Sequence, residues 1–173
     1  SSAVVEMTGP EGEGLLGLTA RISIRLEGAR SLWHLTVTDG GPLGLTNVAF
    51  PTMRLCRLTS GDDYAYTPNG SGVLWRDPTA RMNPFRGSYP SGWCSMQFCG
   101  YYDSLGGLYL AAHDPLASTK HIDLRPADGT MASEVCWPAA DAGVPGKGFD
   151  HPGDCVVEVL SGDWFDAAQA YKA

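Results

Sequence analysis

The sequence predicts an all-β fold, an antiparallel β-sandwich with a short helix at its C-terminal end. Short runs alternate between apolar and polar residues, which is the pattern of strands with one buried face. Glycine (22 residues) and proline (12 residues) are frequent and follow no fixed period. Turn signals interrupt the chain about every 8–12 residues, as in sandwiches and barrels. With 173 residues, 43% of them hydrophobic, the chain can bury the core of one domain.

The first strands are predicted from strict alternation. In residues 21–26, Ile22, Ile24 and Leu26 share one face and polar residues take the other. Runs that we also interpret as strands occupy residues 3–9, 32–38, 45–50 and 53–58. Pro51 separates the last two runs. Because proline cannot donate a hydrogen bond to a β-ladder, we expect two separate strands there.

The clearest hairpin lies in the middle of the chain. Two apolar, aromatic-rich runs at residues 96–102 and 107–112 flank a loop of about four residues that contains glycine. The aromatic loop 89–93 precedes the first of these strands, and the second ends at residues 113–115, His-Asp-Pro. Polar groups therefore gather at the open ends of this hairpin, where we expect any functional edge of the sheet.

The remaining chain contains further short strands and a change of periodicity. Strands are predicted at residues 120–126, 132–137 and 155–160, and loops at residues 60–72, 77–89 and 138–153. After the last strand the pattern becomes helical. Asp163 is a suitable N-cap, and Trp164, Ala168 and Tyr171 share one helical face. A helix that begins here is expected to lead into another part of a longer polypeptide.

Charge and cysteine content limit the classes of partner. The net charge of −7 disfavours binding to the phosphate backbone of nucleic acids and to anionic membrane surfaces. No apolar run approaches the roughly 18 residues of a membrane span. The five cysteines lack the paired spacing of a zinc site, so either buried thiols or one or two disulfides are expected. The N-terminus has no readable targeting signal, and we slightly favour a secreted or periplasmic location.

No catalytic signature is present in the sequence. The common hydrolase, zincin and nucleotide-binding motifs are absent, and no pair of carboxylates stands out as an acid and a base. Asp62 and Asp63 are adjacent but lack the spaced oxygen ligands of an EF-hand. We therefore predict neither catalytic residues nor a metal or cofactor in this chain.

Loop aromatics and one polar pair are the candidates for binding. Tyr64, Tyr89 and Trp93 lie in predicted loops, where flat apolar rings can stack on sugar rings. The alternative is that they cap the ends of the core. His113 and Asp114 follow a strand end, and this pair could bind a sugar hydroxyl or contact a neighbouring domain. The alternative is a turn-forming aspartate beside a histidine that bonds to the backbone.

Three segments together resemble one family of proteins. They are Val48-Ala49-Phe50-Pro51, the hairpin region 89–98 with 107–114, and the closing segment 162–171, Gly-Asp-Trp-Phe-Asp-Ala-Ala-Gln-Ala-Tyr. These segments resemble the N-terminal β-sandwich of multidomain glycoside hydrolases, in which a galactose-mutarotase-like supersandwich precedes a TIM-barrel catalytic domain. The resemblance covers roughly residues 32–173, although such sandwiches are usually larger than this chain.

The resemblance implies a division of the chain and a set of site residues. It assigns residues 1–161 to a supersandwich-like domain and residues 162–173 to the start of a helix that leads toward a catalytic domain. The family's catalytic carboxylates lie in the barrel, so none can be transferred to this chain. Loops of the sandwich can border the mouth of the barrel's active site, at positions that match residues 89–97 and 113–120. The candidates for carbohydrate binding or a domain interface are Tyr64, Tyr89, Trp93, Gln97, His113, Asp114 and Lys120.

Three specific functions remain open from the sequence, beside an unrelated sandwich with a structural or adhesive role. The first is a non-catalytic sandwich domain of a carbohydrate-active glycoside hydrolase, whose partners are a carbohydrate or the TIM-barrel domain of the same polypeptide. The second is a stand-alone carbohydrate-binding module. The third is an aldose epimerase-like enzyme, which would need a histidine together with Glu134 or Glu158 as general acid and base.

Overall fold

The computed structural model describes residues 1–8, 17–39, 41–58 and 61–172. In these residues the chain forms thirteen strands and two helices. The strands are β1 (Ser2–Thr8), β2 (Leu18–Glu27), β3 (Arg30–Asp39), β4 (Asn47–Leu55), β5 (Tyr64–Thr67), β6 (Val73–Arg76), β7 (Phe85–Tyr89), β8 (Phe98–Asp103), β9 (Gly106–His113), β10 (Lys120–Ala127), β11 (Thr130–Pro138), β12 (Phe149–Asp150) and β13 (Asp154–Leu160). The helices are α1 (Pro78–Arg81) and α2 (Trp164–Lys172).

The strands form two antiparallel sheets of unequal size. The larger sheet has nine strands in the order β1-β2-β3-β13-β9-β8-β5-β6, with β12 added beside β3. The smaller sheet has four strands in the order β4-β11-β10-β7. Every strand pairing is antiparallel. The predicted antiparallel β-sandwich with a short C-terminal helix is confirmed.

Two groups of buried residues fill the space between the sheets. The first joins β3, β9 and β13 to β4 and β11, through Leu35, Val37, Val48, Phe50, Ala112, Val135, Trp137 and Cys155. The second joins β5, β8 and β9 to the smaller sheet, through Leu55, Ala65, Phe85, Cys99, Tyr101, Leu110, Ile122, Leu124 and Met131. Because β4 contributes to both groups, it crosses the larger sheet from β3 toward β8.

Helix α2 packs on the opposite face of the larger sheet and forms a third layer. Ala167 is buried there with Phe98, Tyr109 and Val156. The helix begins as predicted, since Asp163 Oδ1 accepts a hydrogen bond from the Phe165 N–H at 2.8 Å. The predicted apolar face is only partly right, because Trp164, at its start, keeps 48% of its surface exposed.

Several strand boundaries differ from the predictions. The two runs around Pro51 form the single strand β4, because a proline at the edge of a sheet need not donate to the ladder. Tyr64–Thr67 and Phe85–Tyr89 form strands within segments predicted to be loops. The central hairpin closes with a two-residue turn rather than four, since Asp103 pairs with Gly106.

The structure decides between the buried thiols and the disulfides that the sequence left open. All five are free thiols, four of them buried and Cys56 exposed. Burial raises the pKa of the Cys94 thiol to about 11 and that of Cys99 to about 12, so these buried thiols stay protonated and unreactive at neutral pH.

Among the described residues, no helix is long and apolar enough to span a membrane.

Candidate functional site

Most of the candidate residues come together at one end of the sandwich. Tyr89 ends β7, Gln97 precedes β8, Asp114 follows β9 and Lys120 begins β10. The antiparallel pairing of these strands brings the four positions to the same place, with Lys120 directly opposite Tyr89 in the ladder. We call Tyr89, Gln97, Asp114 and Lys120 the Lys120 cluster.

Lys120 is the centre of this cluster and is fully buried. Its ammonium donates to Gln97 Oε1 at 2.6 Å and to Asp114 Oδ2 at 2.9 Å. It also lies 4.7 Å from the ring centroids of both Tyr89 and Trp137, which is the geometry of cation–π contacts. Protein groups therefore contact the ammonium of Lys120 on several sides.

Both carboxylate oxygens of Asp114 accept hydrogen bonds, and these bonds also shape the turn after β9. Its Oδ1 accepts from the N–H of Leu116 at 2.9 Å, and its Oδ2 accepts from the N–H of Ser118 at 2.6 Å. Burial alone would raise the pKa of Asp114, but the bonds from Lys120 and from these two backbone groups outweigh it and lower the pKa. Burial lowers the pKa of Lys120, and Asp114 opposes that shift.

A second set of contacts joins the Lys120 cluster to the end of helix α2. Gln97 Nε2 donates to the Asp114 carbonyl at 3.1 Å and approaches the Tyr171 hydroxyl at 3.5 Å. The Tyr171 ring stacks on Phe98 with centroids 4.8 Å apart. The buried polar atoms of Gln97 and Asp114 have protein partners, so they do not present a free polar surface. Together with Tyr171, these contacts fix helix α2 on the sheet.

His113 is part of the same attachment of α2 to the sheet. Its Nε2 lies 2.7 Å from the hydroxyl of Tyr109, and its ring makes an edge contact with Tyr171 at 6.2 Å between centroids. Burial lowers the pKa of His113, and the guanidinium of Arg30 lowers it further. The imidazole is therefore neutral at pH 7.

Of the two carboxylates considered for an epimerase-like mechanism, Glu158 is paired with an arginine and Glu134 lies on the other sheet. Glu158 Oε2 lies 2.5 Å from Arg30 Nε, and the same guanidinium donates to the Ala170 carbonyl of α2 at 3.2 Å. Glu134 lies on β11 of the smaller sheet, opposite Asp123 and Thr52. His113 lies on the larger sheet. Among the described residues, no group of three or more histidine, cysteine or acidic side chains is placed to hold a metal ion.

Besides His113, two candidate residues lie outside the Lys120 cluster. Trp93 is 70% exposed, on a loop whose backbone bonds to the turn after β5 through Gly70. Tyr64 stacks on Tyr102 with centroids 5.5 Å apart. Tyr64 lines an open cleft of about 350 Å³ with Asp62, Tyr102, Asp103, Ser104, Gly106, Ser161, Gly162, Asp163 and Asp166. The seven candidates thus do not form one surface.

The polar groups of this cleft shape the local backbone. Asp103 Oδ1 accepts from the Leu105 N–H at 2.8 Å, and Asp166 Oδ2 accepts from the Asp163 N–H at 3.1 Å. The turn itself needs a glycine, because Gly106 has φ +144° and a Cβ there would lie 2.8 Å from the Leu160 carbonyl oxygen. The cleft is therefore a well-defined feature at the point where β13 passes into α2.

An exposed apolar surface surrounds the same point. Leu105 is 77% exposed, Val159 64%, Phe165 55% and Trp164 48%. Trp164 and Phe165, whose ring centroids lie 6.0 Å apart, form what we call the root patch at the beginning of helix α2. Leu105 and Val159 line a nearby open apolar cleft of about 540 Å³. Large apolar side chains exposed together in this way are typical of surfaces that bind another protein or domain. Sequence reasoning missed the root patch, although Trp164 and Phe165 next to the helix cap were a signal for it.

Comparisons with known proteins find a similar curated protein and a solved structure of similar fold. No protein-family model matches the chain. A protein of Monosiga brevicollis named "Putative glycoside hydrolase 22789" is 29% identical over 158 residues, which make up 87% of this chain but only 12% of that protein. The solved structure of the Slr1438 protein from Synechocystis sp. PCC 6803 shares the fold, with a TM-score of 0.52 and 11% identity. That match covers 94% of this chain and 62% of Slr1438.

These comparisons support the resemblance in part. The relative with the higher identity carries the name of a glycoside hydrolase, and the chain corresponds to a small, domain-sized part of it. The galactose-mutarotase-like character of the sandwich stays a prediction.

Proposed function

We propose that this chain is a non-catalytic β-sandwich domain of a carbohydrate-active glycoside hydrolase. In this function the sandwich packs against the catalytic domain of the same polypeptide and helps to shape its substrate site. The observation that carries the proposal is the comparison: 87% of the chain aligns with 12% of a protein named as a glycoside hydrolase. A domain of this size within such a long protein leaves room for a separate catalytic domain.

The structure supports an accessory role in two ways. The polar candidates that could serve chemistry, Asp114 and Lys120, are buried and bonded to each other, so a substrate cannot reach them in the folded domain. The root patch, in contrast, presents Trp164 and Phe165 to the outside at the start of α2. A helix fixed at its far end by Tyr171 holds this patch in a constant position.

The proposal is tested in the full-length polypeptide that contains residues 1–173. We expect that polypeptide to hydrolyse an aryl glycoside and the isolated chain to show no hydrolysis above buffer. Changing Trp164→Lys and Phe165→Lys together should lower the temperature at which half the activity is lost, because charge is placed in a domain interface. Val144→Lys, at a residue 46% exposed in another loop, is the matched control and should leave that temperature unchanged.

Two outcomes would overturn this function. One is a full-length polypeptide that hydrolyses no glycoside, and the other is a double variant whose activity is as heat-stable as the Val144→Lys control.

A stand-alone carbohydrate-binding module is the second candidate, favoured by exposed Trp93 and by the Tyr64 cleft. It predicts that the isolated chain binds a soluble polysaccharide and that Trp93→Ala or Tyr64→Ala abolishes this binding.

A further inference from the structure

A second polar cleft gathers positive charge on the surface of this acidic chain. The chain has a net charge of −7 and contains 12 lysine and arginine residues. Three of these line one cleft of about 320 Å³, whose lining residues are Arg57, Gly61, Asp62, Arg76, Asp77 and Arg81. We call it the arginine cleft. Because like charges repel, such a group of guanidiniums needs anionic groups to balance it.

Two aspartates face the three arginines and do not balance them fully. Asp77 lies between two guanidiniums, with its Oδ1 3.5 Å from Arg57 Nη2 and its Oδ2 3.8 Å from Arg81 Nε. The first contact is a long hydrogen bond, and the second exceeds hydrogen-bond length. The guanidinium of Arg76 donates to Asp62 Oδ1 at 2.9 Å. Since a guanidinium has five N–H groups, the described residues of the cleft have more donors than these carboxylates accept, and one positive charge in excess.

The backbone fixes the base of the arginine cleft, although its side chains reach solvent. Asp77 has a left-handed conformation with φ 50°, and its N–H donates to the Asp63 carbonyl at 2.9 Å. Its own carbonyl accepts from the Arg81 N–H at 3.0 Å. Asp63 is completely buried, and its carboxylate accepts from the Tyr101 hydroxyl. The segment that carries Asp77 and Arg81 is thereby attached to the core of the domain.

The neighbouring Tyr64 cleft has the opposite charge. Its acidic lining residues are Asp62, Asp103, Asp163 and Asp166, and no basic residue lines it. Because Asp62 lines both clefts, the two adjoin. A nucleic acid, which carries a charge at every nucleotide, would meet repulsion beside the arginine cleft. A molecule whose anionic groups are separated by neutral, hydroxyl-bearing parts fits this distribution of charge better.

We propose that the arginine cleft binds an anionic substituent, a sulfate ester or a carboxylate, of an acidic polysaccharide. This inference rests on the proposed function, since it names the substrate class of the carbohydrate-active polypeptide. Both substituents present oxygen atoms at a spacing that matches the paired N–H groups of a guanidinium. With Arg57 and Arg81 as the donors, the substituent balances the charge that the two aspartates leave.

Binding of defined tetrasaccharides to the isolated chain, measured by isothermal titration calorimetry, tests this inference. The probes are a κ-carrageenan tetrasaccharide, which carries only sulfate esters, a hyaluronan tetrasaccharide, which carries only carboxylates, and neutral cellotetraose. At least one acidic probe should bind at least about tenfold more tightly than cellotetraose. This binding should weaken in about 0.5 M NaCl, because salt screens exposed charges. The acidic probe that binds identifies the substituent.

A pair of double variants separates the cleft from the overall charge. Arg57→Gln with Arg81→Gln should weaken binding of that acidic probe at least about tenfold, because two guanidiniums of the cleft are lost. Arg25→Gln with Arg54→Gln is the matched control. It changes the net charge equally, at arginines that are 55% and 64% exposed and lie outside the arginine cleft, and should change binding by less than about twofold. All four side chains are more than half exposed, so glutamine is compatible with folding.

Three results would overturn the inference. In the first, neither acidic probe binds more tightly than cellotetraose. In the second, both double variants lose binding equally, which would mean that the overall charge and not the arginine cleft attracts the probe. In the third, a single-stranded DNA oligonucleotide binds more tightly than both acidic probes, and the ligand would then be a nucleic acid.

Failure of this inference can be told apart from failure of the proposed function. A polypeptide that hydrolyses glycosides and responds to the Trp164 and Phe165 changes, while its isolated chain binds no acidic tetrasaccharide, contradicts only the role of the arginine cleft. An acidic tetrasaccharide bound through Arg57 and Arg81 in a polypeptide without glycosidase activity contradicts only the proposed function.

Discussion

The two ends of the sandwich differ in the residues that surround their strand termini. At the closed end, Lys120, Asp114 and Gln97 bond to one another and are almost completely buried. At the open end, Leu105 and Val159 expose most of their surface. Because buried polar groups with protein partners stabilise the domain itself, the closed end serves stability. At the open end Leu105 and Val159 line one apolar cleft, and we expect this surface to serve association.

Helix α2 joins these two ends along the outer face of the larger sheet. Its last turn contacts the closed end through Tyr171, and its first residue, Trp164, belongs to the root patch at the open end. The closed end thereby determines the position of the surface at the open end. This difference gives three predictions, from a large effect on stability at the closed end to a very small one at the open end.

The largest effect is expected for Lys120→Met. The methionine is close to lysine in size but removes the charge that Asp114 and Gln97 bond. Because Asp114 would be left as an uncompensated buried carboxylate, we expect a loss of about 3–5 kcal/mol in the free energy of unfolding, measured with urea. Lys147→Met, at an exposed loop lysine, is the control and should change it by less than about 0.5 kcal/mol. Equal losses in the two variants would show that the Lys120 cluster is not a stabilising centre.

An intermediate effect is expected for Tyr171→Ala. The change removes the stacking on Phe98 and the contact with His113, and we expect a loss of about 1–3 kcal/mol because the ring is only partly buried. Protease cleavage within α2 should become faster in the same variant. Tyr171→Phe keeps the ring and loses the 3.5 Å contact of the hydroxyl with Gln97 and its interaction with Tyr89, so its loss should stay below about 1 kcal/mol. If Tyr171→Phe were as damaging as Tyr171→Ala, the hydroxyl rather than the ring would attach the helix.

The sequence predicted the fold because its strands alternate clearly where one face is buried. Ile22, Ile24 and Leu26 lie on one face of β2, as their spacing indicated. The prediction was wrong at Pro51, since a proline interrupts a ladder only where its nitrogen would have to donate, and β4 lies at an edge. Short strands such as β5 were missed because four residues are too few to show a period.

The candidate site was predictable only in part. Asp114 and Lys120 were selected as candidates for carbohydrate binding or a domain interface, and the structure brings them together but buries them. Burial at a strand end depends on which strands become neighbours, and the pairing of β10 with β7 is a long-range property that local patterns do not contain. Tyr64 was placed in the same set, yet it lies in the cleft beside the start of α2.

The smallest effect on stability is expected at the open end, and it distinguishes the two ends most directly. Leu105 and Leu116 are 77% and 76% exposed, so Leu105→Lys and Leu116→Lys should each change the free energy of unfolding of the isolated chain by less than about 0.5 kcal/mol. Their effects on a dye that fluoresces on apolar surfaces should differ. Leu105 lines the 540 Å³ apolar cleft, whereas Leu116 lies in the turn that Asp114 shapes at the closed end. Dye binding should therefore fall only in Leu105→Lys, and an equal fall in both variants would mean that the open end offers no special surface for a partner.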